Sequence, residues 1–155
     1  MKFRFAFSFL VLLGLSACTA PLSGLAPDFT LPLSKDPSLS VTLSEISREH
    51  PVLLVFWATW CGTCREEIPI LNEWSRKQAS KGLQVYGINV EESRETVQRF
   101  LVNHPMEYPV LLDEKGDVSS QYKVHELPTM ILLAKGGKIL YYGFRRPENL
   151  SQWIT

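Results

Sequence analysis

The sequence predicts one α/β domain in which helices cover both faces of a mixed central sheet. A chain of 155 residues is long enough for one core and leaves little room for a second. Residues 52–56 form a continuous apolar, β-branched run, which is the pattern of a strand buried on both faces, as in parallel sheets. Downstream, stretches with helical periodicity alternate with strand-like runs before a closing hairpin, an order typical of α/β domains.

The elements follow in order along the chain. Residues 28–33 and 40–43 predict a hairpin, and Ser44 is positioned to cap a turn of helix. After the strand at 52–56, apolar residues at helical spacing predict a helix from Cys61 to about Ser80, ended by Gly82. The remaining predictions are a strand at 83–90, a helix at 93–103 capped by Ser93, a strand at 110–112, a turn at 113–116, a short helix at 117–122, and a hairpin of 129–133 and 138–142 turning at 136–137.

The composition excludes several other classes of protein. The chain is 45% hydrophobic and 21% charged, as globular proteins are, which argues against disorder and coiled coil. Sixteen Lys and Arg balance 16 Asp and Glu, so we expect no nucleic-acid partner. Three cysteines are too few for a disulfide-dense scaffold or a four-cysteine zinc site.

The first segment has the pattern of an export signal. Lys2 and Arg4 precede an apolar run at 5–15 that is shorter than the roughly 20 residues a membrane span needs, so residues 1–17 predict a signal peptide. The end of this run, Leu-Ser-Ala-Cys, resembles a bacterial lipobox, which implies that Cys18 is lipidated and begins the mature chain. Residues 18–26 are then a tether that holds the domain, residues 27–155, close to a membrane. The alternative is a plain signal peptide whose cleavage site contains a cysteine.

The candidate chemistry lies in the stretch from Phe56 to Arg65. Cys61 opens a helix directly after a buried strand, where free N–H groups and the helix dipole favour a thiolate, so it is the candidate nucleophile. Cys64, one turn further on, is positioned to attack a mixed disulfide at Cys61. A purely structural disulfide and a zinc half-site are the alternatives; haem attachment would need histidine where Arg65 stands.

From residues 26–29 to about 143 the chain resembles the TlpA/ResA-like branch of the thioredoxin superfamily. The strongest match is Phe-Trp-Ala-Thr-Trp-Cys-x-x-Cys-Arg-x-Glu-x-Pro at 56–69, followed by Tyr-Lys-Val at 122–124 and Leu-Pro-Thr at 127–129. The resemblance implies a thioredoxin-like fold with an N-terminal hairpin and a helix-strand insertion from Ser93 to Leu112. It also implies a redox-active disulfide between Cys61 and Cys64, no other cofactor, no metal, and a monomer.

The resemblance assigns roles to further residues. Pro128 is expected to follow a cis peptide bond and, with Leu127, to dock an extended substrate. Trp60, Gly62 and Thr63 are expected to contact the same substrate around the cysteines. Glu67 matches an acidic residue that accepts or relays the proton of Cys64; the alternative is a solvated charge on the helix face.

Two positions depart from the family pattern, and several other residues suggest no chemistry. Val55 stands where cytoplasmic thioredoxins have a buried aspartate, and Glu126 stands where glycine usually precedes the docking proline, which questions the conformation of that loop. Trp57 is expected in the core, and the consecutive pair Glu91 and Glu92 is expected to be solvated. The remaining expectation is that the histidines lie on the surface or in loops, at positions 50, 104 and 125.

Together these features predict a lipid-anchored thiol-disulfide oxidoreductase on the periplasmic or outer-surface side of a bacterial membrane. The uncharged spacer Gly62-Thr63 favours a reductant, since oxidising relatives gain a low thiol pKa from charge at this position. Its partners would be disulfide-containing exported proteins, such as those of cytochrome c maturation, and a membrane electron donor of the thiol-reducing type. The alternatives are a disulfide-donating oxidase, a peroxide-reducing enzyme, and a non-catalytic lipoprotein that binds a partner or copper.

Overall fold

A computed structural model describes residues 24–147. The predicted thioredoxin-like fold is confirmed: a five-stranded mixed sheet lies between helices, beside a small two-stranded sheet. The elements are β1 (Thr30–Pro32), β2 (Ser40–Thr42), α1 (Leu43–Ile46), β3 (Val52–Trp57), α2 (Gly62–Ala79), β4 (Gln84–Val90), α3 (Arg94–Asn103), β5 (Val110–Asp113), α4 (Asp117–Gln121), β6 (Thr129–Leu133) and β7 (Ile139–Gly143).

The central strand β3 joins the parallel and the antiparallel halves of the sheet, whose order is β5-β4-β3-β6-β7. It pairs in parallel with β4, which pairs in parallel with β5, and it pairs antiparallel with β6, which turns back into β7. Thr129 at the start of β6 is opposite Phe56 near the end of β3. The loop before β6 therefore reaches the same end of the sheet as the loop that leads from β3 into α2.

Two hydrophobic clusters fill the two sides of the sheet. All residues of β3 are buried, and because side chains alternate along a strand, Leu53, Val55 and Trp57 enter one cluster while the residues between them enter the other. The first cluster includes the buried faces of α2 and α3, and the second includes residues of β1, α1 and α4. Helices therefore cover both faces, as expected.

One local prediction is corrected and another is extended. Ser44 is not the cap of α1, because it lies inside the helix, and its N–H donates to the Asp28 carboxylate at 2.9 Å. The predicted turn at 113–116 is present, since the Gly116 N–H donates to the Asp113 carbonyl at 3.1 Å, but Asp113 also ends β5, is buried, and accepts hydrogen bonds from the N–H groups of Val118 and Ser119 at 3.2 and 2.7 Å. In both cases a carboxylate from outside the helix accepts hydrogen bonds from N–H groups of its first turn.

The predicted signal peptide, residues 1–17, and Cys18 lie outside the described residues. Part of the predicted tether is described: Leu25 forms a bridge with Lys138, and the Ala26 N–H donates to the Gly137 carbonyl at 2.9 Å. Residues 25 and 26 of the predicted tether are therefore joined to the turn between β6 and β7. Within residues 24–147, no helix has the length and apolar character needed to cross a membrane.

Candidate active site

Cys61 and Cys64 form a disulfide at the N-terminus of α2. Cys61 is the N-cap residue, and its Sγ accepts a hydrogen bond from the Cys64 N–H at 3.2 Å, while the Thr63 Oγ1 lies 3.4 Å from the same sulfur. Both cysteines are buried against the cluster under α2. The sulfur of Cys61 thus lies among the unpaired N–H groups of a helix N-terminus, where a thiolate is stabilised once the pair is reduced.

A groove of about 640 Å³ lies beside the disulfide. Thr63 from the spacer, and Leu127 and Pro128 from the loop before β6, line it together. The Leu127-Pro128 peptide bond is cis, as predicted. The remaining lining residues come from α2 and from the segment after β7: Glu66, Glu67, Trp74, Phe144, Arg145, Arg146 and Pro147. The predicted substrate residues Leu127, Pro128 and Thr63 therefore share one surface.

Trp60 and Gly62 do not line this groove but are exposed beside it. The Trp60 side chain is 71% exposed although it is large and apolar, and it directly precedes Cys61 in the chain. Phe144, which lines the groove, is also exposed, at 48%. Exposed aromatic side chains close to a redox-active pair are typical of a surface that contacts another polypeptide.

Glu67 is not a freely solvated charge, because its side chain is only 23% exposed and lies against Arg146. Glu67 Oε2 is 2.8 Å from Arg146 Nε; within residues 24–147 neither atom makes a well-aligned hydrogen bond, so the contact is an ion pair. The Arg146 guanidinium also lies over the Trp74 ring, 5.7 Å from its centroid. Burial and, to a smaller extent, the Glu67 charge raise the pKa of Tyr108, a residue of the core under α2.

The two departures from the family pattern have simple structural outcomes. Val55 is buried, and its neighbours in the sheet are Gly87 and Met130, so this position carries no proton acceptor. Glu126 is accommodated without a left-handed backbone, a conformation that non-glycine residues of 24–147 adopt only at Glu91 and Lys123. The Glu126 carbonyl accepts a 2.6 Å hydrogen bond from the Thr129 hydroxyl, which orders the loop around Pro128.

Glu92 is the residue whose environment differs most from its prediction. Its carboxylate accepts hydrogen bonds from the N–H and the hydroxyl of Thr59, at 2.7 and 2.5 Å, and from the Asn89 amide at 2.7 Å. The expectation of a solvated pair is therefore wrong for Glu92, although Glu91 is exposed. The contact of Arg146 with Glu67 was not predicted either. The Thr59–Glu92 and Glu67–Arg146 contacts each join residues far apart in the chain, and no spacing in the sequence indicates them.

The other expectations concern the core, the histidines and metal. Trp57 is buried as predicted and contacts Phe100, with ring centroids 5.4 Å apart. Of the histidines, only His104 is partly buried, stacked on Phe100. Among residues 24–147, no group of three or more His, Cys, Asp or Glu is placed to hold a metal ion.

Comparison with known proteins gives a consistent result. The model of the AhpC/TSA family matches residues 23–142. The thiol-disulfide oxidoreductase ResA of Bacillus thuringiensis subsp. konkukian is 32% identical over 105 residues, which are 66% of this chain and 61% of that protein. The chain thus spans less than two thirds of the length of this relative.

Solved structures extend the comparison to the fold. A putative thiol:disulfide interchange protein DsbE from Chlorobium tepidum is similar with a TM-score of 0.77 and 36% identity, over 87% of this chain and 96% of that one. The thioredoxin domain of a thiol-disulfide oxidoreductase from Bacteroides vulgatus has a TM-score of 0.76 at 24% identity, over 88% of this chain and 100% of that one, and shares the fold.

Proposed function

The chain belongs to the AhpC/TSA family, and from this premise we propose that it is a thiol-disulfide oxidoreductase that reduces disulfides in exported proteins. The observation that carries the proposal is the position of the Cys61-Cys64 disulfide, at a helix N-terminus and beside a groove lined by the cis-proline loop. The names of the similar ResA and DsbE proteins support the same reaction class.

The reaction starts from the reduced pair. The Cys61 thiolate attacks one sulfur of a substrate disulfide, the substrate S–S bond breaks, and the released substrate thiolate takes up a proton. Cys64 then loses its proton and attacks the Cys61 sulfur, which breaks the mixed disulfide and releases the second substrate thiolate to be protonated. Two electrons pass to the substrate, and the enzyme is left with the Cys61-Cys64 disulfide that the structure holds.

The direction of electron flow is proposed from the spacer. Gly62 and Thr63 bring no charge to the cysteines, so the thiolate gains no stabilisation from a charged spacer, which favours a reductant over a strong oxidant. A reductant must be recharged, and a dithiol donor in the membrane would return two electrons and two protons to the pair.

Glu67 is proposed to take the proton that leaves Cys64. It lies three residues further along α2, so the two side chains share one helix face. Its contact with Arg146, in which Glu67 Oε2 lies 2.8 Å from Arg146 Nε, holds the side chain against the C-terminal segment and so fixes its place on this face. Partial burial separates this carboxylate from bulk water, as a proton relay requires.

The place of action is proposed from the first residues of the chain. Residues 1–17 have the pattern of a signal peptide, and lipidation of Cys18 would anchor the domain on the outer side of a bacterial membrane. Exported proteins with exposed disulfides, including those of cytochrome c maturation, would then be within reach, and no nucleic acid or metal takes part. We propose that the enzyme acts as a monomer.

Trapping of a substrate tests the reaction and its two steps. In the Cys64→Ser variant, Cys61 can attack a disulfide-containing peptide but nothing resolves the product, so we expect a stable mixed disulfide that mass spectrometry detects. Cys61→Ser should trap none. The Cys61→Ser, Cys64→Ser double variant is the control. If the wild-type domain fails to reduce a model disulfide, the proposed enzyme activity is wrong and a binding function remains.

The reduction potential of the cysteine pair tests the proposed direction of electron flow. We expect equilibration of the Cys61-Cys64 pair against defined thiol buffers to give a value near the thioredoxin end of the range, about −270 mV. A value near about −120 mV would identify a disulfide donor.

A further inference from the structure

Glu92 is bonded to the short loop that carries Cys61. The loop, residues 58–60, connects β3 to α2, and Glu92 comes from the end of β4 on the neighbouring strand. Its two carboxylate oxygens accept both donors of Thr59, the backbone N–H at 2.7 Å and the hydroxyl at 2.5 Å. A single side chain thus holds the middle residue of this loop through two charge-assisted hydrogen bonds, which are the stronger kind.

The carboxylate is itself held in place from the core. Asn89 is fully buried and stands opposite Trp57 in the register of β3 and β4, and its amide donates to Glu92 Oε2 at 2.7 Å. The residue between β4 and Glu92, Glu91, has a left-handed backbone with φ 56°. Such a conformation is uncommon for a residue other than glycine, and it is retained where surrounding contacts stabilise it.

The loop determines where the nucleophile lies. The Cys61 N–H donates a hydrogen bond to the Ala58 carbonyl at 3.2 Å, and Ala58 directly precedes Thr59. Cys61 itself follows Thr59 by two positions, so both ends of this short segment depend on where Thr59 lies. Because Cys61 is also the N-cap of α2, a shift of residues 58–60 would move its sulfur relative to the N–H groups that stabilise a thiolate. Thr59 is therefore the point at which the rest of the domain can control the geometry of the cysteine.

We propose that Glu92 is a positioning residue of this enzyme, which fixes Thr59 and thereby places the Cys61 sulfur at the N-terminus of α2. The inference rests on the proposed function, since it concerns the nucleophile of that reaction. Glu92 acts through the loop and is not among the residues that line the groove.

Two effects of Glu92 on Cys61 have opposite signs and can be separated. If Glu92 acts by positioning, its removal lets the sulfur move away from the helix N-terminus, so a smaller fraction of Cys61 is thiolate at pH 7. If it acts as a nearby negative charge, its removal favours the thiolate. The sign of the change therefore identifies the mechanism. The charged groups of the first turns of α2, Arg65, Glu66 and Glu67, are the same in all variants.

The experiment measures the rate at which iodoacetamide alkylates Cys61 in the reduced protein as a function of pH. For Glu92→Ala we expect the rate at pH 7 to fall about tenfold and the profile to move to higher pH. Glu92→Gln keeps one acceptor oxygen but not two, so its rate should lie between those of Glu92→Ala and wild type. Glu95→Ala is the matched control, because Glu95 is an exposed glutamate of α3 whose partner is Arg99, and its profile should equal wild type.

The partner residue supplies the second variant. Thr59→Val keeps the shape of the side chain and the backbone N–H but removes the hydroxyl, so it should lower the alkylation rate by itself. Because both changes break the same contact, the effect of Glu92→Ala should be smaller in the Thr59→Val background than in wild type. If Glu92→Ala fails to fold, Thr59→Val and Glu92→Gln carry the test.

An unchanged profile in the folded variants would overturn the proposal, even if thermal stability falls, and so would a shift to lower pH. The readout needs no substrate and no turnover. A wild-type protein that alkylates normally but reduces no disulfide would therefore refute the proposed function, while the role of Glu92 would still be decided by the variants.

Discussion

The contacts of Glu67 differ from those of an ordinary glutamate on a helix face. A helix-face glutamate next to the exposed Glu66 would ordinarily be solvated, but Arg146 and Trp74 cover this one from the side of the C-terminal segment. The ion pair offsets part of the cost of burying the charge. These contacts are what the proposed relay from Cys64 would use to keep the carboxylate in place.

Replacement of Glu67 by glutamine should slow the step in which Cys64 resolves the mixed disulfide. We expect a loss of about 100-fold, because an amide of the same shape cannot accept the proton. The rate of this step is measured by stopped flow, as the release of a fluorescent peptide from a preformed mixed disulfide at Cys61. Glu73→Gln, an exposed position on the same helix, is the control. Equal rates in Glu67→Gln and wild type would contradict the proposed relay.

At the scale of elements, α1 is held by a carboxylate from outside the helix. Asp28 accepts hydrogen bonds from the N–H groups of Ser44 and Phe29, at 2.9 and 3.0 Å, and so joins the segment before β1 to the start of α1. Burial by itself would raise the pKa of Asp28, but the hydrogen bonds to its carboxylate have the larger combined effect, so the pKa is lowered from its ordinary value of 3.8. A carboxyl group whose pKa is lowered by folding stabilises the folded state at pH values above its unfolded pKa and loses this effect as the pH falls through the folded pKa.

Replacement of Asp28 by alanine should therefore destabilise the domain at pH 7 and have less effect in acid. We expect a loss of about 1 kcal/mol in the free energy of unfolding at pH 7, typical of a lost helix cap, and a smaller loss at about pH 3, where the wild-type carboxylate is partly protonated. Urea unfolding at both pH values measures it, with the exposed Glu49→Ala as control. A loss of the same size at both pH values would show that the charge of Asp28 is not involved.

At the scale of the whole molecule, the site lies where the two sides of the domain meet. Leu127 packs against both hydrophobic clusters, so the cis-proline loop is supported from each face of the sheet. The cysteines belong to the cluster on the α2 side alone. The redox state of the pair is consequently linked to the stability of the entire fold.

This linkage predicts which form of the protein is more stable. If the pair is a reductant, folding favours its disulfide relative to the unfolded chain, so the oxidised form should unfold at higher denaturant concentration than the reduced form. Each 30 mV of difference in potential corresponds to about 1.4 kcal/mol. Guanidinium unfolding with and without a phosphine reductant measures the difference, and the Cys61→Ser, Cys64→Ser double variant should show none. A more stable reduced form would indicate a disulfide donor.

The sequence alone determined the features that depend on local pattern. An apolar run predicted the buried strand β3, and helical spacing predicted the helix that Cys61 opens. The residue type of Ser93 predicted the N-cap of α3. All three signals act within a few positions of the chain. The cysteine pair was predictable for a related reason, because it belongs to a short motif whose residues are adjacent in the chain, whereas the cis bond before Pro128 was predicted only from the family resemblance.

The tertiary structure alone decided which polar groups meet. Ser44 was misassigned because the partner that determines its role, Asp28, lies 16 positions away and reaches the start of α1 only in the folded domain. Glu91 and Glu92 are identical and consecutive, yet one is exposed and the other bonds Thr59 across 33 positions. Hydrogen bonds and ion pairs act over about 3 Å in space whatever the separation along the chain, so their partners follow from the packed fold and not from the order of residues.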